Sequence, residues 1–453
     1  MKKLFTLGLM AMFAGTSITA QTLTTITSND DLMMFGGHMP LSISPNGKYV
    51  VGSTAALMMF TYDVEKQESI VFTEEQGSAY DMMGAELRGV NDNGEAVGFD
   101  DNGGVQVDMN GGYQLVEPFS EEANIILCER ITEDGSIIVG SVSDDSWMQK
   151  ACYWENGEKH FLPAPTTEEM GFEVNGSAAK FVSADGSIIV GWAVDDFAMY
   201  PMVIWERQAD GTYVLNPASK GKYETLHEPI YDENWNIAGW ECGPNPYLQY
   251  TPAGISADGK TIVMQIVENT ETGYPPVKIG LYDVETGELE VIGADGNHGI
   301  EEGASLTVAA IANDGTVVGY TGSGYYDPIK AFVMYKEEKQ PRLVTEVFAD
   351  VEGMDAYAEF ADMGGTFMAT SISSDGRYII GYGEYMDWET FMFGYKGFII
   401  DTNGTATSVN AAKTETNGQA EYYTIDGRKV DTLGKGLNIV KTANGETKKV
   451  VVK

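Results

Sequence analysis

The chain has 453 residues, 43% of them hydrophobic, and carries 67 acidic against 28 basic side chains for a formal net charge of −39. So acidic a polymer repels nucleic acid and anionic membrane, which excludes both as expected partners. Three scattered cysteines are too few for a disulfide framework, and four isolated histidines (His38, His160, His227, His298) offer no metal-ligand spacing.

Met1 to Ala20, MKKLFTLGLMAMFAGTSITA, opens on Lys2 and Lys3, runs apolar from Leu4 to Ala14 and ends in small or polar residues. That is the pattern of a secretory signal peptide, too short and wrongly flanked for a membrane span. It holds no cysteine, which argues against a lipid-anchored precursor. Export is therefore expected, with a soluble mature chain beginning near Gln21, because no later stretch reaches 18 apolar residues. Residues 21–409 then carry −44 and residues 410–453 carry +3.

From residue 43 onward one short pattern recurs, clearest in Val182 to Gly191 (VSADGSIIVG). The other copies start at Ile43, Val90, Ile131, Ile255, Ile311 and Ile372, with a degraded copy, IYDENWNIAG, at Ile230. Each reads as a strand end, a tight turn and an apolar strand closed by glycine. Asp-Gly and Asn-Gly favour a two-residue type I′ turn, which assigns turn positions to Gly47, Gly94, Gly135, Gly186, Gly259, Gly315 and Gly376. In the degraded copy the expected left-handed residue is Asn234. Residues after the turn, such as Ile188, Ile189 and Val190, do not alternate with polar ones, so these strands are expected to be buried on both faces.

A looser hairpin follows most copies, as in Ala151 to Leu162 (ACYWENGEKHFL) and Val203 to Leu215 (VIWERQADGTYVL). Two hairpins in roughly 40 to 60 residues give the strand count and period of a propeller blade. The expected fold is all-β, a β-propeller of seven or eight four-stranded blades over residues 21–405. A two-sheet sandwich and a β-solenoid are the competing architectures. The count stays open because only 25 residues separate Asn234 from Gly259. Trp154 and Trp205, at the strand position where other copies have Tyr62, Tyr282 and Tyr335, are expected in the core. Cys128 and Cys152 read as small buried hydrophobes, with a bridge between them as the alternative.

GVNDNGEAVGFD, ITEDGSIIVGSV followed by ACYWENG, and IANDGTVVGYTG followed by KAFVMYK resemble the extracellular repeats of bacterial surface proteins with the pattern G-I-x-x-D/N-G-x-V-V-G, then A-F-x-W. The resemblance covers residues 36–405 and implies a propeller-like fold outside the cell. Its motif is structural and transfers no catalytic residue.

The loops after the closing glycine interleave aromatics with Asp, Glu and Asn: WAVDDFAMYP from Trp192, WECGPNPY from Trp240, YTGSGYYDP from Tyr320, and YGEYMDWET from Tyr382. Flat rings beside carboxylates and amides suit a glycan, which makes Trp192, Trp240, Tyr320, Tyr382 and Trp388 candidate ligand-binding residues. The competing role is packing between blades. If the first hairpin is the inner pair of strands, these loops gather on the face opposite the Asp-Gly turns. The acidic turns Asp100-Asp101-Asn102, Asp144-Asp145 and Asp195-Asp196 leave room for calcium, although none matches a twelve-residue calcium loop.

An enzyme has less support. Acid–base glycoside hydrolysis needs two placed carboxylates, and among 67 acids a pair arises by chance. A sialidase-like arginine cluster is hard to assemble from Arg88, Arg130, Arg207, Arg342 and Arg377. No Gly-x-Ser-x-Gly elbow, phosphate loop or Ser–His–Asp set is present. The expected function is an exported, non-catalytic binding or interaction module for a glycan or surface protein. A carbohydrate-active enzyme and a structural envelope spacer are the alternatives.

Residues 406–420 have linker composition. Residues 421–453, EYYTIDGRKVDTLGKGLNIVKTANGETKKVVVK, read as a small β unit, too small to bury a useful core alone. Tyr423, Asp426-Gly427-Arg428, Val430, Lys435-Gly436-Leu437-Asn438-Ile439-Val440 and Lys448 through Lys453 are similar to the C-terminal sorting domain of type IX secretion substrates. That resemblance implies a sorting signal including Gly427, Arg428, Lys435, Gly436 and Lys453, with the secretion machinery as partner. It also implies delivery to the surface of a Gram-negative cell, or release from it.

Overall fold

The computed structural model describes residues 21–26, 37–79, 84–118, 125–143, 148–170, 173–194, 201–216, 228–241, 247–268, 275–322, 328–362, 365–387, 392–402, 421–424, 429–430, 436–441 and 447–452. The chain divides into two compact units, residues 1–406 and 407–453.

The larger unit is a β-propeller of seven four-stranded blades. Every repeat copy but the degraded one forms the first two strands of a blade, and in blades 1 to 6 the looser hairpin supplies the outer strands. Blade 4 has the strands Gly176–Val182, Ile188–Val194, Met202–Arg207 and Tyr213–Leu215, antiparallel and in sequence order. The first strands of the other blades are His38–Ile43, Glu86–Val90, Ile125–Ile131, Tyr247–Ile255, Leu306–Ile311 and Thr366–Ile372.

Neighbouring blades cover both faces of the second strands, which is why their apolar residues do not alternate. Ile137–Ser143 is buried along its whole length. Ile137 and Val139 of blade 3 share one core cluster with Ala179, Ile189 and Val190 of blade 4, and with Ile262 and Met264 of blade 5. Each such side chain contributes about 1.5–3 kcal/mol by leaving water. Trp154 and Trp205 are buried as expected, and their indole N–H groups donate to Glu117 O (2.9 Å) and Pro163 O (2.8 Å). A buried indole needs such an acceptor. Here the segment leaving the preceding blade supplies it.

The blade number is seven because the degraded copy joins no blade. Glu228–Tyr231 and Ile237–Glu241 pair only with each other, as a two-stranded hairpin between blades 4 and 5. Blade 7 takes its outermost strand from the other end of the chain: Thr22–Ile26 pairs with Met392–Asp401, Thr22 opposite Asp401 and Ile26 opposite Gly397. Backbone hydrogen bonds between sequence-distant segments thus close the ring. The long connection from blade 6 to blade 7 holds two short helices, Val344–Val347 and Met354–Asp362. Tyr357 from the second packs on Phe367 and Phe398 of blade 7, at 5.4 and 5.3 Å between ring centroids.

The turns are not type I′. Gly186 has φ 71, but Asp185 keeps a negative φ, and the same division holds at the other six Asp-Gly or Asn-Gly turns. The carboxylate decides this. Asp185 Oδ1 accepts from the Ser187 amide (2.9 Å) and from Ser183 Oγ (2.7 Å), while Ser183 Oγ accepts from the Ile188 amide (3.0 Å). To reach an amide two residues on, the aspartate must stay right-handed, so glycine alone takes the left-handed place. In the degraded copy that place belongs to Trp235 (φ 62) and not to Asn234, because Asp232 there receives the amides of Asn234 and Asn236.

Cys128 and Cys152 are free and buried. Both stand opposite Gly140, one on each flanking strand, so two strand spacings (about 9–10 Å) separate them, beyond disulfide reach. Cys242 lies outside the described residues. No helix among the described residues is long and apolar enough to cross a membrane.

The smaller unit is a four-stranded sheet of Glu421–Thr424, Lys429–Val430, Gly436–Lys441 and Thr447–Val452. The first strand sits between the second and third. Gly436 opens the third strand, and Gly427, Arg428, Lys435 and Lys453 fall outside the described residues.

Candidate functional site

The seven first strands are the inner edges of the blades, and their ends surround the axis together. Each slips register against its neighbour at an equivalent residue: Leu41, Arg88, Glu129, Lys180, Ala253, Ala309 and Thr370 in blades 1 to 7, with a second slip at Leu248 in blade 5. A bulge re-aims the extra side chain and sharpens the local bend. The closing glycine makes room for it. Ala179, just before the blade 4 bulge, pairs with Gly191, and a Cβ on Gly191 would lie 1.8 Å from the Ala178 carbonyl oxygen. Gly52, Gly98, Gly140, Gly319 and Gly381 hold the same place, with clashes of 1.9–2.1 Å. Blade 5 has Met264 there, opposite Pro252.

Three successive bulges are charged, and they meet. Arg88 Nη1 donates to Glu129 Oε1 (2.7 Å), Lys180 Nζ bonds the same oxygen, and Arg88 Nε reaches Glu86 Oε2 (3.2 Å). Burial alone would raise the Glu129 carboxyl, but Lys180 and Arg88 outweigh it and hold Glu129 below its ordinary range. For Lys180 the balance reverses: burial, with Arg88 and Arg130 nearby, lowers the ammonium despite Glu129. Arg130, next in the strand, donates through Nη1 to Arg88 O (2.6 Å) and Glu129 O (2.7 Å). Burial brings its guanidinium down to about 10.

At the Asp-Gly-turn end this axis opens into a cavity of about 130 Å³. The leading Ile or Val of each of the seven blade-forming copies, from Ile43 to Ile372, lines it, as do Arg130, Phe181, Gly254, Ala310 and Ser371. Hydrogen bonds lace the surrounding turns from blade to blade. Glu133 N–H donates to Ala184 O, Ala184 to Ala257 O, Asn313 to Ser374 O and Ser374 to Pro45 O, at 2.9–3.0 Å. Asp92 and Asn313 side chains receive the amides of Asn46 (2.8 Å) and Asp258 (3.0 Å). The turn aspartates are thus engaged in holding turns and neighbours.

Because the Asp-Gly hairpins are the inner pairs, the candidate aromatics do follow the closing glycines at the opposite ends of the inner strands. Trp192 lies under the Lys180 ammonium, 4.7 Å from ring centre, as Phe99 lies under Arg88 at 4.7 Å. In blades 6 and 7 the bulge residues are Ala309 and Thr370, so no cation covers Tyr320 or Tyr382 in that way. Tyr382 is pushed up to about 12, by burial first and then by the charges of Tyr395, Tyr320, Glu384 and Glu86. Tyr382 meets Tyr395 edge to face at 5.7 Å between ring centroids, the Tyr395 hydroxyl donates to Glu384 Oε1 (3.5 Å), and Tyr320 holds the position after the closing glycine in the adjacent blade 6. Trp240 sits in the hairpin outside the ring, opposite Pro229. Trp388 and residues 195–200, 242–246, 323–327 and 388–391 lie outside the described residues.

Of the five arginines weighed for a carboxylate-binding cluster, only Arg88 and Arg130 come together. Arg207 pairs with Glu155, Arg342 with Glu338 and Arg377 with Asp401. Among the described residues no group of acids, histidines or cysteines is arranged to hold a metal ion. Asp100 accepts instead from Tyr113 (2.8 Å), the Ala79 amide (3.0 Å) and the Asn102 amide (2.8 Å). Asp144-Asp145 and Asp195-Asp196 are outside the described residues. Sequence reasoning missed Glu129 and Lys180. Their signal was a charge three residues before the turn's Asn, Thr or Ser in three successive copies: Arg88 before Asn91, Glu129 before Thr132, Lys180 before Ser183.

No known protein family matches the chain, and no curated protein is similar to it. Among solved structures it is similar to an oligogalacturonate lyase in complex with manganese, at 12% identity over 84% of this chain and 96% of that one, with a TM-score of 0.47. It is also similar to the RRP9 WD40 repeats (9%, 84% and 97%, TM-score 0.42) and to TolB from Acinetobacter baumannii (12%, 67% and 64%, TM-score 0.36). At these identities the likeness extends to the fold alone.

Proposed function

We propose that the chain is an exported β-propeller acting as a non-catalytic binding module, with a glycan or surface protein as ligand. We further propose that residues 421–453 are a sorting segment that passes it through a type IX-like route. The observation that carries the binding reading is the placement of Tyr382, Tyr395 and Glu384 together in blade 7, with Tyr320 after the closing glycine of the adjacent blade 6. Rings beside a carboxylate suit a sugar, whose apolar face stacks while its hydroxyls donate. The signal-peptide pattern and the similarity of the tail to type IX substrates support export.

The test is a glycan array with polysaccharide pull-down on the full chain, beside a Tyr320→Ala/Tyr382→Ala variant shown to be folded by circular dichroism. Binding that disappears in the variant supports the module. Equal binding by both proteins refutes the tyrosine neighbourhood as the site. Product released during incubation would redirect the reading to a carbohydrate-active enzyme. For the tail, deletion of residues 421–453 is expected to trap the protein in the periplasm of a type IX-competent host. Undiminished appearance outside the cell would reject that role.

A further inference from the structure

We propose that the axial cavity at the Asp-Gly-turn end is a binding site for a carboxylate group, with the Arg130 guanidinium as its principal partner. The site lies apart from the tyrosine neighbourhood, and its test is independent of the glycan reading.

Charge balance is the first argument. Arg88, Arg130 and Lys180 are three cations gathered around the two carboxylates of Glu86 and Glu129. Glu86 is taken by Arg88, and Glu129 by Arg88 and Lys180, which leaves Arg130 without an ion pair among the described residues. Its hydrogen bonds run from Nη1 to two backbone carbonyls, and its guanidinium lies over the Phe181 ring, 5.3 Å from the centroid, so it meets a ring face and no carboxylate. A half-buried guanidinium with no carboxylate partner is costly, and an anion at its edge offsets that cost. The fork of remaining N–H groups fits the two oxygens of a carboxylate. One excess positive charge matches a monoanion better than a phosphate dianion.

Space is the second argument. The bulges across the axis from the cations are Ala253 and Ala309, followed by Gly254 and Ala310, so that side of the cavity is left empty. About 130 Å³ is room for several waters or a small ligand. The collar of Ile and Val suits a short hydrocarbon stem, and Ser371 supplies a hydroxyl. The inner strands are edge strands, whose outward N–H groups add donors. Glu133, the one carboxylate on the lining, is exposed and forms no ion pair with Arg130. The body's −44 opposes anions at long range, but salt at 0.15 M screens that field beyond about 8 Å. The ligand is therefore held by contact.

The test is isothermal titration of the full chain with sodium butyrate, sodium glucuronate and neutral glucose. Arg130→Gln and Ala309→Leu are titrated in parallel, with folding checked by circular dichroism. Leu41 occupies the same bulge position in blade 1, so Ala309→Leu fills the cavity with a side chain the fold already accepts there, without touching a charge. The expected result is saturable binding of at least one carboxylate and none of glucose. Affinity should weaken at least about tenfold in Arg130→Gln (about 1.4 kcal/mol) and be lost in Ala309→Leu. If Arg130→Gln does not fold, Ala309→Leu decides alone. Butyrate without glucuronate identifies a free organic acid, and glucuronate without butyrate an acidic sugar; either supports the site. No carboxylate binding, equal binding of glucose, or carboxylate binding unchanged in Ala309→Leu overturns it.

Discussion

Replacing Glu129 by glutamine removes the one carboxylate shared by Arg88 and Lys180 and keeps its size. The side chain is only 3% exposed, so water cannot take over its role. Three cations would then face only Glu86, and breaking a buried pair in this way costs about 3–5 kcal/mol. At about 2.1 cal/mol/K per residue, the propeller's unfolding entropy near 60 °C is about 0.8 kcal/mol/K. The midpoint in scanning calorimetry at pH 7 should therefore fall by about 4–6 °C. Adding Lys180→Met removes one stranded cation and should recover roughly half of that loss, because the residual penalty scales with unpaired charge. A Glu129→Gln melt within about 1 °C of the parent would refute the reasoning, as would a further fall on adding Lys180→Met.

Three other outcomes follow from the geometry. Gly191→Ala sets a Cβ 1.8 Å from a backbone oxygen that cannot move without undoing the bulge. It should cost more than about 3 kcal/mol in urea unfolding, whereas Gly111→Ala, with φ 86 and nothing within 4 Å, should cost about 1–2 kcal/mol. Burial pulls the His38 imidazole down to about 4 from an ordinary value of 6.5, so the unfolded chain takes up that proton first as the medium acidifies. The stability His38 contributes by staying neutral is fully present above about pH 6.5 and is lost towards pH 4, by about 3 kcal/mol, and His38→Gln should flatten that part of the pH–stability curve. Trp235→Gly relieves a left-handed residue that is 81% exposed, and should slow amide exchange in the hairpin around it by several-fold; unchanged exchange would mean the turn is not strained.

Much of the architecture was legible because its causes are local. A glycine after Asp or Asn marks a turn, an unbroken run such as Ile188-Ile189-Val190 marks a strand covered on both faces, and Trp154 and Trp205 recur at one core position. The turn type was misread because dipeptide preference describes the backbone alone, whereas the Asp185 carboxylate captures an amide two residues on and keeps its own residue right-handed. Asn234 was misassigned for the same reason, one residue short of Trp235.

By itself, then, the sequence determined the repeat unit, the all-β class and the core position of Trp154 and Trp205, since these follow from neighbours a few residues apart. Ring closure decided the rest. Only the closed ring could set the count at seven, by drawing Thr22–Ile26 into the last blade and leaving the hairpin at Glu228–Glu241 outside. Arg88, Glu129 and Lys180 belong to three separate repeats, and no local rule relates them. They share one oxygen because successive inner strands converge on a common axis, where the bulge of each blade turns its side chain towards the next.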